Sequence, residues 1–132
     1  MTDDTTPPRL QPRLKAAPKT GQVYWCDFPL DAQLPEFWKR RPVVVLSAKA
    51  QLYGVALVVP LSTKAQPDNP LAYAFPGVLS DGDSTSWAVC SHPTTVAVSR
   101  LSVHRGRILR VPDDALQAIL RIVRSTIPTP RD

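Results

Sequence analysis

Cysteine, glycine, aromatics and acidic residues are all scarce in this chain: 2 Cys, 5 Gly, 3 Trp, 3 Tyr and 3 Phe in 132 residues, with 11 Asp and Glu against 16 Lys and Arg. Each shortage excludes something. The two cysteines lie inside apolar runs (YWCDF and WAVCS), and neither falls in a CxxC or Cys/His ligand spacing, so Cys26 and Cys90 read as buried, reduced thiols. The few glycines build no GxGxxG or Walker loop. GxSxG and HExxH are missing as well, which removes the common nucleotide-binding, hydrolase and metalloprotease chemistries. No window approaches the roughly 20 apolar residues of a membrane helix, and the first residues lack the apolar block of a secretion signal. The expectation is a cytoplasmic protein with no metal or other cofactor.

Proline and positive charge are what the chain has in excess: 15 prolines and a net charge of +5. The prolines mostly separate apolar runs and mark where elements end. The charge favours partners rich in phosphate or carboxylate, meaning RNA, DNA or an acidic protein. A length of 132 residues with 43% apolar composition suits one domain with one core.

Residues 1–19, MTDDTTPPRLQPRLKAAPK, mix Pro, Thr and charge without apolar periodicity, the composition of a disordered tail. Short runs rich in Val and aromatics follow at 22–28, 42–48, 55–62, 71–75, 86–92, 94–101 and 106–111, each bounded by Pro, Gly or polar residues, and they read as strands. One segment reads as a helix. After Pro112, Asp113 and Asp114 put negative charge at a helix N-terminus; Leu116, Ile119, Leu120, Val123 and Ile127 form one apolar stripe, and the helix should stop before Pro128. Residues 128–132 are left as a short tail. Many short strands closed by one amphipathic helix predict a mainly β fold, a small antiparallel barrel. Its long connections, 29–41, 63–70 and 76–85, are where binding residues belong.

Candidate chemistry gathers at strand ends. Lys39, Arg40 and Arg41 stand directly before Pro42 and a Val-rich strand, and charge there is either solvated or part of an anion site. Ser62, Thr63 and Lys64 end the third run, and His92 and Thr94 follow the Cys90 strand; Arg105 and Arg107 occupy a basic loop. Ser62 and Thr63 read equally as loop caps, and His92, before a proline, as a hydrogen-bonded turn residue. Trp25 and Trp87 read as core. Phe37 and Trp38, beside the cations, are placed to stack on bases or to meet a protein partner.

The order of these pieces resembles the MazF/PemK toxins of toxin–antitoxin systems. GQVYWCDF comes first, then an acidic residue five positions before an Arg-Pro (EFWKRRPVVVLS), then VVPLST, TVAVSRL, GRI and the VPDDALQAILRIV helix, colinear over residues 20–127. The resemblance implies an SH3-like, plasmid-toxin barrel, a homodimer, and metal-independent cleavage of single-stranded RNA held in check by an acidic antitoxin. It implies Arg41 as the catalytic arginine and Ser62 or Thr63 as the catalytic hydroxyl, with Glu36 as the acidic residue of the loop before Arg-Pro. Many members carry an Asp-Gln pair after the Cys-containing strand, where this chain has Ser91 and His92, so His92 is the substitute base. Phe37, Trp38, Lys39, Arg40, Lys64, Thr94, Arg105 and Arg107 complete the RNA-binding set. Two alternatives share the fold: a gyrase-binding toxin without RNA chemistry, and an RNA-binding module that has lost catalysis.

Overall fold

The structure is a computed structural model that describes residues 5–77 and 84–131; part of the expected 76–85 connection and the outermost residues of both expected tails lie outside the described residues. Eight strands and one helix follow in chain order: β1 Gln22–Asp27, β2 Arg40–Val45, β3 Val55–Ser62, β4 Ala72–Pro76, β5 Thr85–Val89, β6 Thr94–Ala97, β7 Leu101–Ser102, β8 Leu109–Arg110 and α1 Asp113–Ser125. A 3-10 turn, Val98–Arg100, joins β6 to β7. The sheet runs β4-β5-β3-β2-β1-β7, with β6 on β3 and β8 on β1, and its pairings are antiparallel. It is a strongly bent half-barrel with the helix against one side, the mainly β fold that the strand pattern predicts.

β2 and β3 lack the alternation of a one-sided strand because both their faces are covered. Val43, Val44, Val45, Val58 and Val59 are all 0% exposed. Val44, Val59 and Leu61 join Val23, Phe75 and Ala88 under Ala115, Ile119 and Val123 of α1. Val43, Val45 and Val58 point the other way, into a second cluster with Tyr24, Cys26, Phe28, Val96, Val98 and Leu101. Pro60 marks the change of partner in β3. It is the last residue paired with β2, opposite Val43, and Leu61 and Ser62 then pair with Ala88 and Trp87 of β5. A residue without an N–H suits a point where the ladder changes hands.

α1 begins after Pro112 with Asp113 and Asp114 in its first turn and Arg124 in its last, the charge order the backbone dipole favours. Its buried residues are Ala115, Ile119 and Val123, with Leu116 and Leu120 packed partly buried beside them. Ile127 departs from the expected stripe. The helix ends at Ser125, where the Ser125 and Thr126 hydroxyls donate to the Ile122 and Val123 carbonyls, and Ile127 beyond it is 64% exposed.

Three expectations need correction. Residues 5–19 form no strand or helix, yet Leu14 is only 6% exposed, in the cluster of Tyr24, Cys26 and Leu101. Arg9 Nη1 donates to the Tyr53 carbonyl at 3.3 Å and Arg13 pairs with Asp27 at 2.9 Å, so this segment lies along the barrel as an arm. Trp25 and Trp87 are half-buried and stand outside both core clusters: Val23 and Val89, on the same faces two residues along, are buried, and the cover gives way by the positions of the two tryptophans.

Removing the Leu14 side chain leaves a cavity where the arm enters the second cluster. Leu14→Ala should cost about 2–3 kcal/mol in urea unfolding; an unchanged midpoint would mean the arm does not seal the second cluster. Burial also pushes the Cys26 thiol up to about 12, a rise that Arg100 partly offsets, and the Cys90 thiol up to about 11. Both thiols then stay protonated in the folded chain above pH 9, where the unfolded chain releases its protons. Stability should therefore fall as pH rises from about 9 towards 11, by at most about 1.4 kcal/mol per pH unit for each thiol. A flat profile over that window, or rapid thiol labelling of the folded protein at pH 8, would contradict it.

Candidate active site

β2 starts at Arg40, two residues earlier than expected, so both arginines belong to the strand and pair with Asp27 and Cys26 of β1. The pleat then separates them, because successive side chains point to opposite faces. Arg41 shares its face with Val43 and Val45; its Nε donates to the Trp38 carbonyl at 3.0 Å and its guanidinium lies 5.4 Å from the Phe37 ring centre. Arg40 points the other way, 5.1 Å from the Trp25 ring centre, with Nη2 3.4 Å from the Ser102 hydroxyl. Lys39 turns the chain into the strand with a left-handed backbone, φ 68, and sets its ammonium 4.1 Å over the Trp38 ring. The KRRP cluster is thus three cations aimed in different directions.

Ser62 lies at the same end of the sheet as Arg41. Both are two residues beyond the last β2–β3 pair, Val43 with Pro60, and Ser62 shares the face of Val58 and hence of Arg41. Thr63, one residue on, falls past the strand end and is exposed. The Lys64 backbone N–H donates to Ser62 Oγ at 3.0 Å, which occupies an acceptor lone pair and leaves the Ser62 proton to donate outwards. Trp87 is the cross-strand partner of Ser62, so its indole flanks the hydroxyl.

The loop between β1 and β2 folds back over this end of the barrel. Phe37 packs among three neighbours, edge-on to Phe28 at 6.2 Å, tilted against His92 at 5.1 Å and 5.4 Å from the Arg41 guanidinium. His92 Nε2 lies 3.1 Å from the Pro35 carbonyl and Nδ1 lies 2.9 Å from Ser91 Oγ, which in turn accepts from Asn69 Nδ2 at 3.2 Å. A carbonyl only accepts, so Nε2 carries a proton. With the ring neutral, the lone pair on Nδ1 takes the Ser91 hydroxyl proton. His92 is therefore the hydrogen-bonded anchor of the loop, and its one basic nitrogen is engaged. The walls of a recess of about 690 Å³ include Phe28, Glu36, Phe37, Ser91, His92 and Thr94.

The remaining expected residues divide. Thr94 Oγ1 donates to the His92 carbonyl at 3.1 Å, and Lys64 is exposed beside Ser62. Glu36 Oε1 accepts the Gln33 N–H at 2.7 Å, closing its own loop turn. Arg105 and Arg107 are exposed on the turn between β7 and β8, strands that pair with the β1 edge facing away from β2 and β3. They are not gathered with Arg41, Ser62 and His92. Asn69 carries no sequence signal, Ser91 is marked only by standing where the family has its Asp-Gln pair, and Trp87 reads as core. The only sequence signal for Trp87 was its place between Ser86 and Ala88, two small residues that β5 turns inward. Among the described residues no three His, Cys, Asp or Glu side chains converge as a metal-binding set, and no helix is long and apolar enough to cross a membrane.

A family model described as PemK-like, MazF-like toxin of type II toxin–antitoxin system matches residues 19–127. The chain belongs to this family. Its arm, residues 5–18, precedes the matched span. No curated protein sequence matches the chain. Among solved structures, MazF of Deinococcus radiodurans (Form-I) is similar at TM-score 0.63 and 21% identity over 83% of this chain and 96% of that one. An endoribonuclease in complex with its cognate antitoxin from a mycobacterial species gives 0.60 and 22% over 86% and 100%. The MazE–MazF complex (Form-III) of D. radiodurans gives 0.60 and 21% over 83% and 95%. At these identities the likeness shows that the MazF fold is shared.

His92→Ala removes both loop hydrogen bonds and the ring against Phe37. Hydrogen exchange of the amides of residues 36–39 should speed up, with about 1–2 kcal/mol lost from global stability. Unchanged exchange there would show that another contact holds the loop.

Proposed function

We propose that this MazF-like toxin is a metal-independent endoribonuclease that cuts single-stranded RNA at preferred sequences and so arrests translation and growth. The observation that carries the reading is the convergence of Arg41 and Ser62 on one face, at the ends of adjoining strands, beside the half-buried rings of Trp87 and Phe37. In the reaction the ribose 2'-oxygen attacks its own phosphate. The 2'-O–P bond forms and the P–O5' bond breaks, leaving a 2',3'-cyclic phosphate and a 5'-hydroxyl. A proton leaves the 2'-oxygen and another reaches the 5'-oxygen.

Arg41 faces the extra negative charge on the phosphoryl oxygens with a planar, always-charged fork. Its Nε is engaged by the Trp38 carbonyl, which fixes the guanidinium's direction and leaves the Nη donors for phosphate. Ser62, with one lone pair held by the Lys64 N–H, donates its proton to a non-bridging oxygen. Thr63 is the less suited hydroxyl, since strand alternation turns it from Arg41. His92 takes the 2' proton only when the Ser91 hydroxyl rotates off Nδ1 and the loop lifts. Glu36 and Thr94 shape the loop and turn at the recess, and Phe37, Trp38 and Trp87 offer ring faces for bases.

The functional unit in this reading is a homodimer in the cytoplasm. Two of the similar structures are antitoxin complexes; this toxin's partner is an acidic antitoxin whose chain lies over the basic face, consistent with the net charge of +5.

Incubating wild type and Arg41→Ala with a long unstructured RNA in EDTA tests the reading. Wild type should give discrete cuts ending in cyclic phosphate, and Arg41→Ala should cut about 100- to 1,000-fold more slowly. The engaged nitrogens of His92 favour one rival, an RNA-binding module without catalysis. Salt-sensitive RNA retention with no new ends would select it.

A further inference from the structure

We propose that the face of the β1–β2 ribbon opposite Arg41 carries a second RNA-phosphate site, the recess bounded by Lys39, Arg40 and Arg100, and that Arg13 of the N-terminal arm raises its charge by neutralising Asp27. RNA as the ligand rests on the ribonuclease reading above. The recess, about 640 Å³, is lined by Lys39, Arg40 and Arg100 together with Asp27, Asp31 and the Phe28–Leu30 backbone stretch. Three cations and two carboxylates alone leave one net positive charge, and Arg13, just outside, makes it two.

Asp27 is the critical group. It ends β1, it is the cross-strand partner of Arg40, and opposite charges at such a pair attract. Left alone, its carboxylate would offset the guanidinium that must meet a phosphate. One arginine draws the carboxylate elsewhere and another is fixed by the Asp27 main chain. Arg13 Nη2 sits 2.9 Å from Oδ2, and Arg100 Nη1 donates to the Asp27 carbonyl at 2.8 Å, which holds Arg100 at the recess wall. With Asp27 occupied, Arg40 instead lies over the Trp25 indole and remains exposed.

The surroundings favour RNA over an acidic peptide. Trp38, 40% exposed, lies under Lys39, and Trp25, half-buried between Arg40 and His104, backs the cations, so the Trp38 indole offers bases a ring beside them. An acidic peptide would use the cations and leave that ring idle. Arg40 and Arg41 are neighbours with Cα atoms about 3.8 Å apart, so a strand cut on the Arg41 face reaches the Arg40 face by passing over the ribbon end at Lys39. The arm that supplies Arg13 lies outside the span matched by the family model, residues 19–127.

The test uses the full chain and a fluorescein-labelled, fully 2'-O-methylated single-stranded RNA of mixed sequence, which cannot be cut. Binding is read by anisotropy across a salt series, with thermal melts to check each variant's fold. Arg13→Gln should weaken binding about threefold at low salt, since it exposes one carboxylate beside the phosphate. Adding Asp27→Asn should restore it. An arm that had merely come loose would not be rescued by Asp27→Asn, so loss without rescue overturns the proposal, as does wild-type affinity in Arg13→Gln. Cleavage of unmodified RNA by wild type is measured alongside. Cutting with no Arg13 effect sinks this site alone, whereas neither cutting nor binding by wild type sinks the ribonuclease reading and this site with it.

Discussion

Everything at the working end of this protein follows from the burial of β2 on both faces. Val43, Val44 and Val45 have no exposed surface, and each contributes about 1.5 kcal/mol or more by leaving water. A cation placed among them would cost several kcal/mol. Charge can therefore appear only where the strand emerges, and it does so abruptly at Arg41 and Arg40. The same pleat that divides the valines between two clusters divides the arginines between two faces. The geometry of the site is thus inherited from the core: the Arg41 side continues the cluster of Tyr24, Cys26 and Phe28, and the Arg40 side continues the cluster beneath α1.

The loop over the Arg41 side is tied at its base and once more partway along. At its base the Phe28 N–H donates to the Lys39 carbonyl at 2.9 Å, and His92 reaches the Pro35 carbonyl from across the barrel end. Leu30 and Leu34 stay exposed. A cover held by a few polar contacts and the edge-on packing of Phe37 has few contacts to break when it moves. Lys39 adds a left-handed residue at the hinge point, where a non-glycine side chain holds about 1 kcal/mol or more of strain.

Much of this was legible in the sequence, and the failures share a cause. The strands announced themselves by Val-rich runs and the helix by its stripe, since both are local patterns. Arg40 and Arg41 were placed in the loop because Pro42 looks like a strand start; the ladder accepts Pro42 opposite Trp25, and β2 begins two residues sooner. Trp25 and Trp87 read as core on residue type, but burial depends on which neighbour covers a position, and at these strand ends the cover is partial, made by polar side chains such as Arg40 and His104 in the case of Trp25. Leu14 failed in the opposite sense. In a Pro-rich, charged segment it had no periodic company, and its burial comes from residues distant in the chain. The choice between Ser62 and Thr63 was decidable only once the β2–β3 pairing was known, for then alternation assigns the face.

The helix has a consequence for how the molecule comes into being. Ala115, Ile119 and Val123 close the cluster that also holds Val44, Val59 and Phe75, and they belong to the final stretch of the chain. A nascent chain emerging N-terminus first can pair β1, β2 and β3, yet one side of that sheet stays bare until the last helix is made. The Arg41–Ser62 face and the packing that keeps it in shape are therefore separated in time on the ribosome. A truncated product would carry Arg41 and Ser62 but leave half of its core uncovered, without the packing that holds the two strand ends in register.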